Sequence, residues 1–259
     1  MTSTNNTGSS ELNSLTLEFA QILESIKCEE VCDYIPTDEN QTPDCAVLFC
    51  AHPDDEAIGA GGTLAKYAKE GKKTVVVIFT DGESSHPWKK KHILTQDRRA
   101  EAIRSAKVLG IHTVYHLKLK DGSLIKEIVE KDVSMMLQAI LHKHKPRKIF
   151  THSPDDGLYP DHIAVNKVSM DAIQKYELAT AQTPNVYTFN IWTFNIRGRN
   201  SPKLFVDITD EFEQKKQALR CFKTQYLALL QLWPTVYFKA IINGIRKNVK
   251  YAEVFFRVR

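Results

Sequence analysis

Four of the five residues at positions 52–56, in the stretch CAHPDDEAIGAGG, can ligate a metal or move a proton: His52, Asp54, Asp55 and Glu56. They follow a short apolar run and precede a glycine cluster, which puts them at the mouth of a strand. Further along, Thr80, Asp81, Gly82 and Glu83 close a second apolar run, and Asp121 and Gly122 close a third. His152, Asp155, Asp156, Tyr159, Asp161 and His162 follow a fourth. Carboxylates crowded in this way repel one another unless they are protonated or neutralised by a cation, and a divalent metal explains the concentration best. His52 and Asp55 stand three apart around Pro53, close enough in a tight loop to grip one ion, and His162 is a candidate third ligand at the first turn of a later helix. Two imidazoles and a carboxylate with an open fourth position form a catalytic zinc arrangement, which lowers the pKa of bound water to about 7. Asp54 adjoins a ligand without being needed as one, which suits a general base; the alternative is a carboxylate that caps the helix beginning near Ala57. Glu56 and Asp161 are expected to brace the ligands through hydrogen bonds.

The elements that must position these residues are marked by their periodicity. CAVLFC is a continuous apolar run of the kind a buried parallel strand shows, and AIGAGGTLAKYAKEG has helical spacing that stops at Gly71. The alternation repeats: KTVVVIFT as strand, QDRRAEAIRSAKVLG as helix, HTVYHLKL as strand, SLIKEIVEKDVSMMLQAILHKH as one long helix, RKIFTH as strand, PDHIAVNKVSMDAIQKYE as helix. Such repeats predict an α/β fold, an open parallel sheet with helices on both faces whose ligands bind at the carboxyl ends of the strands. After about residue 183 the pattern is strand-rich (NVYTFNIWTFNI, PKLFVDI), then a helix (DEFEQKKQALRCFKTQY) and a closing strand (AEVFFRV), read as an addition to the same sheet. Residues 1–44 read as a tail and a helix, LNSLTLEFAQILESIK, and residues 45–259 as a single domain.

Composition narrows the classes. At 259 residues and 42% hydrophobic content the chain can bury a sizeable core. Lys and Arg exceed Asp and Glu by 35 to 31, too small a surplus for a nucleic-acid reader. The basic tracts HKHKPRK and WKKKH border helix ends, where cations complement the helix dipole. The polar start without a basic, apolar leader, and the lack of any run of roughly 18 apolar residues, predict a soluble, cytoplasmic protein with no transmembrane span. Five cysteines, odd in number and without two-residue spacing, are expected to be reduced and mostly packing. AIGAGG is similar to a dinucleotide-binding turn, but Leu64 stands where the third glycine would be, so the glycines are read as tight helix–strand packing. A two-histidine, one-carboxylate set also occurs in non-haem iron oxygenases, which usually sit on all-β barrels. LALLQLWPTVYFKAIING, residues 227–244, is neither a plain amphipathic stripe nor long enough to span a bilayer; a lid, an oligomer contact and ordinary core packing all fit it.

The ordered set AHPDDEAIGAGGTLAKYAKEG, TDGE, RRAEAIRSAKVLGI, DG at 121–122, YPDHIAVNKV, VDIT, KKQALRCFKTQ and YAEVFFRV spans residues 45–259. It resembles the zinc-dependent N-deacetylases of the LmbE-like or PIG-L type. The resemblance implies a Rossmann-like, mainly parallel sheet, metal ligation by His52, Asp55 and His162, Asp54 as general base, and zinc or another divalent metal as cofactor. It implies removal of an acetyl group from N-acetylglucosamine carried on a small molecule or glycoconjugate, and a homo-oligomer, since relatives are often trimers or hexamers. Arg98, or its neighbour Arg99, and Asp121 match positions that contact sugar hydroxyls in relatives; for Arg99 the alternative is a helix-surface ion pair with Glu101. One departure stands out: many relatives have His-Pro-Asp-His where this chain has Tyr-Pro-Asp-His at 159–162. Tyr159 can donate to an oxyanion, though a phenol is a poor proton shuttle. His152 swinging in, or Asp54 making both proton transfers, are the other ways to fill that role. A non-catalytic sugar- or protein-binding member of the fold, and a hydrolase of another amide, remain the competing functions.

Overall fold

The computed structural model describes residues 7–34, 44–83, 91–156, 159–192 and 202–258. Strands β2 (Cys45–Cys50) and β3 (Lys73–Thr80) are apolar almost throughout because both of their faces are covered. Ala46, Leu48, Cys50, Val76 and Ile78 enter one core, while Val47, Phe49, Val75, Val77 and Phe79 enter the other, as the two-residue period of a strand requires. They lie at the centre of an eight-stranded sheet that also holds β1 (Lys27–Glu30), β4 (Thr113–Leu119), β5 (Lys148–His152), β6 (Asn185–Phe189), β7 (Lys203–Asp207) and β8 (Ala252–Arg257). The order is β1-β4-β3-β2-β5-β6-β8-β7. The five strands from β4 to β6 are parallel; β1 joins β4 antiparallel, and β8 is antiparallel to both β6 and β7. The strand-rich C-terminal part therefore continues the same sheet.

One core is closed by α2 (Asp55–Lys69), α3 (Lys91–Leu109), α7 (Phe212–Leu219) and α8 (Tyr226–Lys247), the other by α1 (Thr7–Ser25), α4 (Leu124–Glu130), α5 (Val133–His144) and α6 (Pro160–Thr180). The glycine cluster of α2 serves close approach: a Cβ at Gly62 would stand 2.7 Å from Ile208 Cδ1, and one at Gly59 2.5 Å from the ring of Phe189. Two expectations change, over 123–144 and over 27–30. The long helix over 123–144 is two helices, because Asp132 takes φ 43° and caps α5 by accepting from Met135 N at 3.3 Å. Residues 27–30 form an edge strand instead of ending the first helix. Residues 227–244 lie inside α8, with Pro234 in the helix. Among the described residues no helix is long and apolar enough to cross a membrane.

From β2 the chain proceeds through β3 and β4 to one side, and from β5 through β6 to the other. The gap between the carboxyl ends of β2 and β5 is thus the topological switch point, the position where open α/β sheets leave a crevice for ligands.

Candidate metal and catalytic site

At that crevice the loop after β2 delivers His52 to Asp55, and the loop after β5 with the first turn of α6 delivers Asp156 to His162. The β2 loop is anchored by its own backbone: Ala51 O accepts from both Thr80 N (2.9 Å) and Thr80 Oγ1 (3.0 Å). Asp55 folds back so that its Oδ2 accepts from His52 N at 2.8 Å. Pro160 opens α6, a position where its missing N–H costs nothing, so that Asp161 and His162 project from the first turn.

His52 Nδ1 lies 3.7 Å from Asp55 Oδ2, and His162 Nε2 lies 3.7 Å from Asp55 Oδ1. Ligand atoms of the three residues all fall within 4.8 Å of one another. Atoms bound at about 2.0–2.2 Å to a tetrahedral ion stand about 3.3–3.6 Å apart; the two 3.7 Å approaches use different oxygens of Asp55, so the three donors would draw together to hold a zinc-like cation. Two other groupings share members with it, His152–Asp156–His162 and His52–Asp121–Asp161. In the former, Asp156 Oδ2 accepts from His162 Nδ1 at 2.9 Å and its oxygens also accept from Ile191 N (2.9 Å) and Trp192 N (3.1 Å). Asp156 therefore fixes the proton of His162 on Nδ1 and leaves Nε2 free to ligate. These donors hold the Asp156 carboxyl below its usual range although burial alone would raise it. In the latter grouping, Asp161 Oδ2 and Asp121 Oδ1 approach His52 Nε2 at 3.3 and 3.7 Å.

Asp54 stands at the N-cap position of α2, but its side chain makes no capping hydrogen bond. Its φ of 117° is a conformation that costs a non-glycine residue about 1–3 kcal/mol and is found where surrounding structure enforces it, often at active sites. The carboxylate turns instead to Arg98, whose Nη2 donates at 3.3 Å, and burial raises its pKa to about 7 against the pull of that guanidinium. Glu56 Oε2 accepts from Asp54 N at 3.0 Å and Glu56 Oε1 from Ser105 Oγ at 3.2 Å; burial, with the charge of Asp54, raises it to about 8. Arg98 is 3% exposed and also donates to Pro53 O (2.7 Å) and Gly82 O (3.0 Å), which places it behind Asp54. Arg99 pairs with Asp81 through two hydrogen bonds and not with Glu101, whose carboxylate accepts from Thr224 N and Oγ1.

Tyr159 stacks on His162 on one side and on Trp192 on the other, with ring centroids 5.3 and 5.1 Å apart. It is 39% exposed. His152 does not swing into that place. It is fully buried behind His162, stacked on it at 3.9 Å, and its Nε2 accepts from Ala51 N at 3.1 Å. Burial, reinforced by the charge of His162, lowers its pKa to about 4 and keeps it neutral. Asp156 belongs to the cluster after the fourth apolar run, where the sequence assigns it no part, and Trp192 is not singled out by spacing; the structure ties both to the segment 190–192, which Asp156 holds by its N–H groups and Lys239 Nζ by its carbonyls at Asn190 (3.2 Å) and Ile191 (2.8 Å). Residues 84–90, which include the start of the tract WKKKH, lie outside the described residues.

Residues 47–173 match the family model described as PIG-L, GlcNAc-PI de-N-acetylase. The chain is 28% identical over 214 residues to the diacetylchitobiose deacetylase of Thermococcus kodakarensis, covering 78% of each protein. It is 25% identical over 185 residues to a probable N-acetyl-alpha-D-glucosaminyl L-malate deacetylase 2 of Bacillus cereus, covering 70% of this chain and 83% of that one. Among solved structures, the N,N′-diacetylchitobiose deacetylase of Pyrococcus horikoshii matches with a TM-score of 0.71 at 24% identity, over 99% of this chain and 95% of that chain. GalB, the 4-carboxy-2-hydroxymuconate hydratase of Pseudomonas putida KT2440, matches with a TM-score of 0.73 at 22% identity, over 83% and 96%. At those identities the two structures speak for the fold, which carries more than one chemistry. The family model and the sequence relatives support a PIG-L, or LmbE-like, reading of the chain.

Proposed function

We propose that the protein is a metal-dependent hydrolase that removes the N-acetyl group from an N-acetylglucosamine-containing sugar or glycoconjugate, giving acetate and a free amine. The observation that carries this reading is the meeting of His52, Asp55 and His162 at the switch point with Asp54 held beside them in a left-handed backbone, in a chain whose curated relatives include two amide deacetylases of amino sugars. His52, Asp55 and His162 would hold the ion, zinc first among those the donors suit. When bound, such an ion polarises an amide carbonyl and acidifies water.

Asp54 is the general base. It accepts a proton from the water that attacks the acetamide carbonyl carbon, and returns it to the nitrogen as the C–N bond breaks. Arg98 fixes the direction of the Asp54 carboxylate, a positioning role that its burial favours over direct contact with the sugar. Tyr159, whose ring is set by His162 and Trp192, presents a hydroxyl as donor to the developing oxyanion. Asp121, at the rim beside His52, is the candidate to accept from a sugar hydroxyl; Glu56, Asp156 and Asp161 keep loop and ligands in place.

The test is acetate release from free N-acetylglucosamine, diacetylchitobiose, and inositol, malate and UDP conjugates, using metal-stripped protein with and without zinc. Asp54→Asn should retain zinc binding, because Asn also tolerates the left-handed backbone, and lose about 10²–10⁴-fold in turnover. Metal binding without acetate release from any compound would move the protein to the binding class, and a fully active Asp54→Asn would remove Asp54 from the role of base.

A further inference from the structure

Helix α8 is apolar on two opposite faces. Leu229, Leu232, Val236 and Ala240 are buried in the core beneath it. At about 100° per residue these positions lie opposite Leu227, Leu230, Pro234, Ile241 and Ile245, and that second stripe faces outward. Leu227 is 69% exposed, Leu230 57%, Ile241 39% and Ile245 71%; Pro234 is exposed as well. The stripe runs along about 27 Å of helix. A helix that packs on one side of a sheet needs one apolar face, and a contiguous exposed one of this extent marks an interaction surface. At its N-terminal end the stripe adjoins a cavity of about 460 Å³ lined by Phe222, Leu229, Leu230 and Trp233 and edged by Arg220 and Lys223.

The charges around the stripe say what covers it. The 39 residues between Glu213 and Glu253 contain eight Lys and Arg and no Asp or Glu. Arg220 and Lys223 precede the helix, Arg246 and Lys247 end it, and all four are exposed; Arg220 has Glu213 at 3.8 Å. Two copies packed stripe to stripe would bring like charges together in either direction, antiparallel by setting Arg220 and Lys223 against Arg246 and Lys247, parallel by setting each pair against itself. An anionic surface meets both ends with opposite charge. Tyr226 and Trp233 flank the stripe, aromatic side chains with a polar tip of the kind favoured at headgroup level. A helix of this length, interrupted by Pro234 and too polar to span, is built to lie in an interface. We propose that the outer face of α8 docks the protein on an anionic membrane surface, with the stripe entering the boundary between headgroups and acyl chains and the terminal cations meeting lipid phosphates.

The test is co-sedimentation of the full chain with vesicles of equal parts phosphatidylcholine and phosphatidylserine, and with vesicles of phosphatidylcholine alone. The protein should pellet with the anionic vesicles and much less with the neutral ones, and high salt should release it. Leu230→Glu combined with Ile245→Glu should lower the bound-to-free ratio by about tenfold or more, as should Arg246→Ala combined with Lys247→Ala, with the urea midpoint unchanged because all four side chains are exposed. A wild-type protein that stays in solution with both vesicle types overturns the proposal. So does binding that the stripe variants leave intact, or a dimer that the stripe variants dissociate in a protein that ignores lipid.

Discussion

Replacing Asp156 by asparagine exchanges one oxygen for an NH₂ in a fully buried group, and it should loosen the site and the segment beside it together. The carboxylate receives His162 Nδ1 and Ile191 N on Oδ2, both at 2.9 Å, and Trp192 N on Oδ1 at 3.1 Å. Asparagine can offer its one oxygen to only one of these sides. If the oxygen faces His162 and Ile191, the amide NH₂ confronts Trp192 N–H and leaves a buried donor unmet, a cost of about 1–3 kcal/mol, while two charge-assisted bonds become neutral ones. If the amide is reversed, the NH₂ faces His162, whose Nδ1 must then accept, so the ring proton moves to the ligating Nε2. The first arrangement costs about 2–4 kcal/mol of stability, and either weakens metal binding by about 10–100-fold. Urea unfolding and zinc competition against a chromogenic chelator read the two effects separately. A variant with zinc affinity within about twofold of wild type would show that His162 does not depend on Asp156, and the account of the proton on Nδ1 would fall.

Other perturbations test the scaffold. Glu253→Gln removes the buried partner of Lys215 (2.6 Å), an acceptor that also holds Gly62 N (3.0 Å) and Thr63 N (2.8 Å) at the back of α2, and should cost about 3–5 kcal/mol in urea denaturation. Gly62→Ala should destabilise by about 1–3 kcal/mol despite the better helix propensity of alanine, because its Cβ would meet Ile208 Cδ1, Cβ and Cγ2 at 2.7–2.8 Å; a stabilised variant would mean that Ile208 has room to move. Stability should fall with acid. Burial lowers His116 to about 4 and His144 to about 3, so the folded protein keeps both neutral while the unfolded chain takes up protons below about pH 6.5. Each then removes up to about 1.4 kcal/mol per pH unit between about pH 6 and 4. His116→Leu should make that dependence shallower at no cost in hydrogen bonding, since neither ring nitrogen has a partner among the described residues; an unchanged slope would refute the assignment.

The sheet was legible because β2 and β3 are apolar in every register and α2, α3 and α6 carry a helical period, patterns that depend on neighbours a few residues away. His52, Asp55 and His162 were legible for a related reason: their types collect at the ends of strands that such a fold must bring together. What escaped depends on orientation. Asp155 and Asp156 are chemically identical, and only the turn after β5 decides that Asp156 goes inward. Arg98 and Arg99 differ by about 100° around α3, which sends one to Asp54 and the other to Asp81. The break at Asp132 interrupts a polar stretch that a helix would tolerate, and β1 is four residues whose strand character comes from pairing with β4.

The neighbourhood of β2 and β5 has a consequence for the order of events in folding. Their parallel register, Ala46 with Lys148 through Leu48 with Phe150, joins segments about a hundred residues apart, and the chain between them must first be laid down on one side of the sheet. Before that pairing forms, His52 and Asp55 are a half-site on one piece of chain, and His162 is on another. An ion held by all three therefore grips the native state and has little purchase on what precedes it, so it should act as a latch, slowing unfolding far more than it speeds folding. Contacts of such long sequence separation form late and slowly, which makes the moment of closure the same moment at which the chain becomes able to hold such an ion.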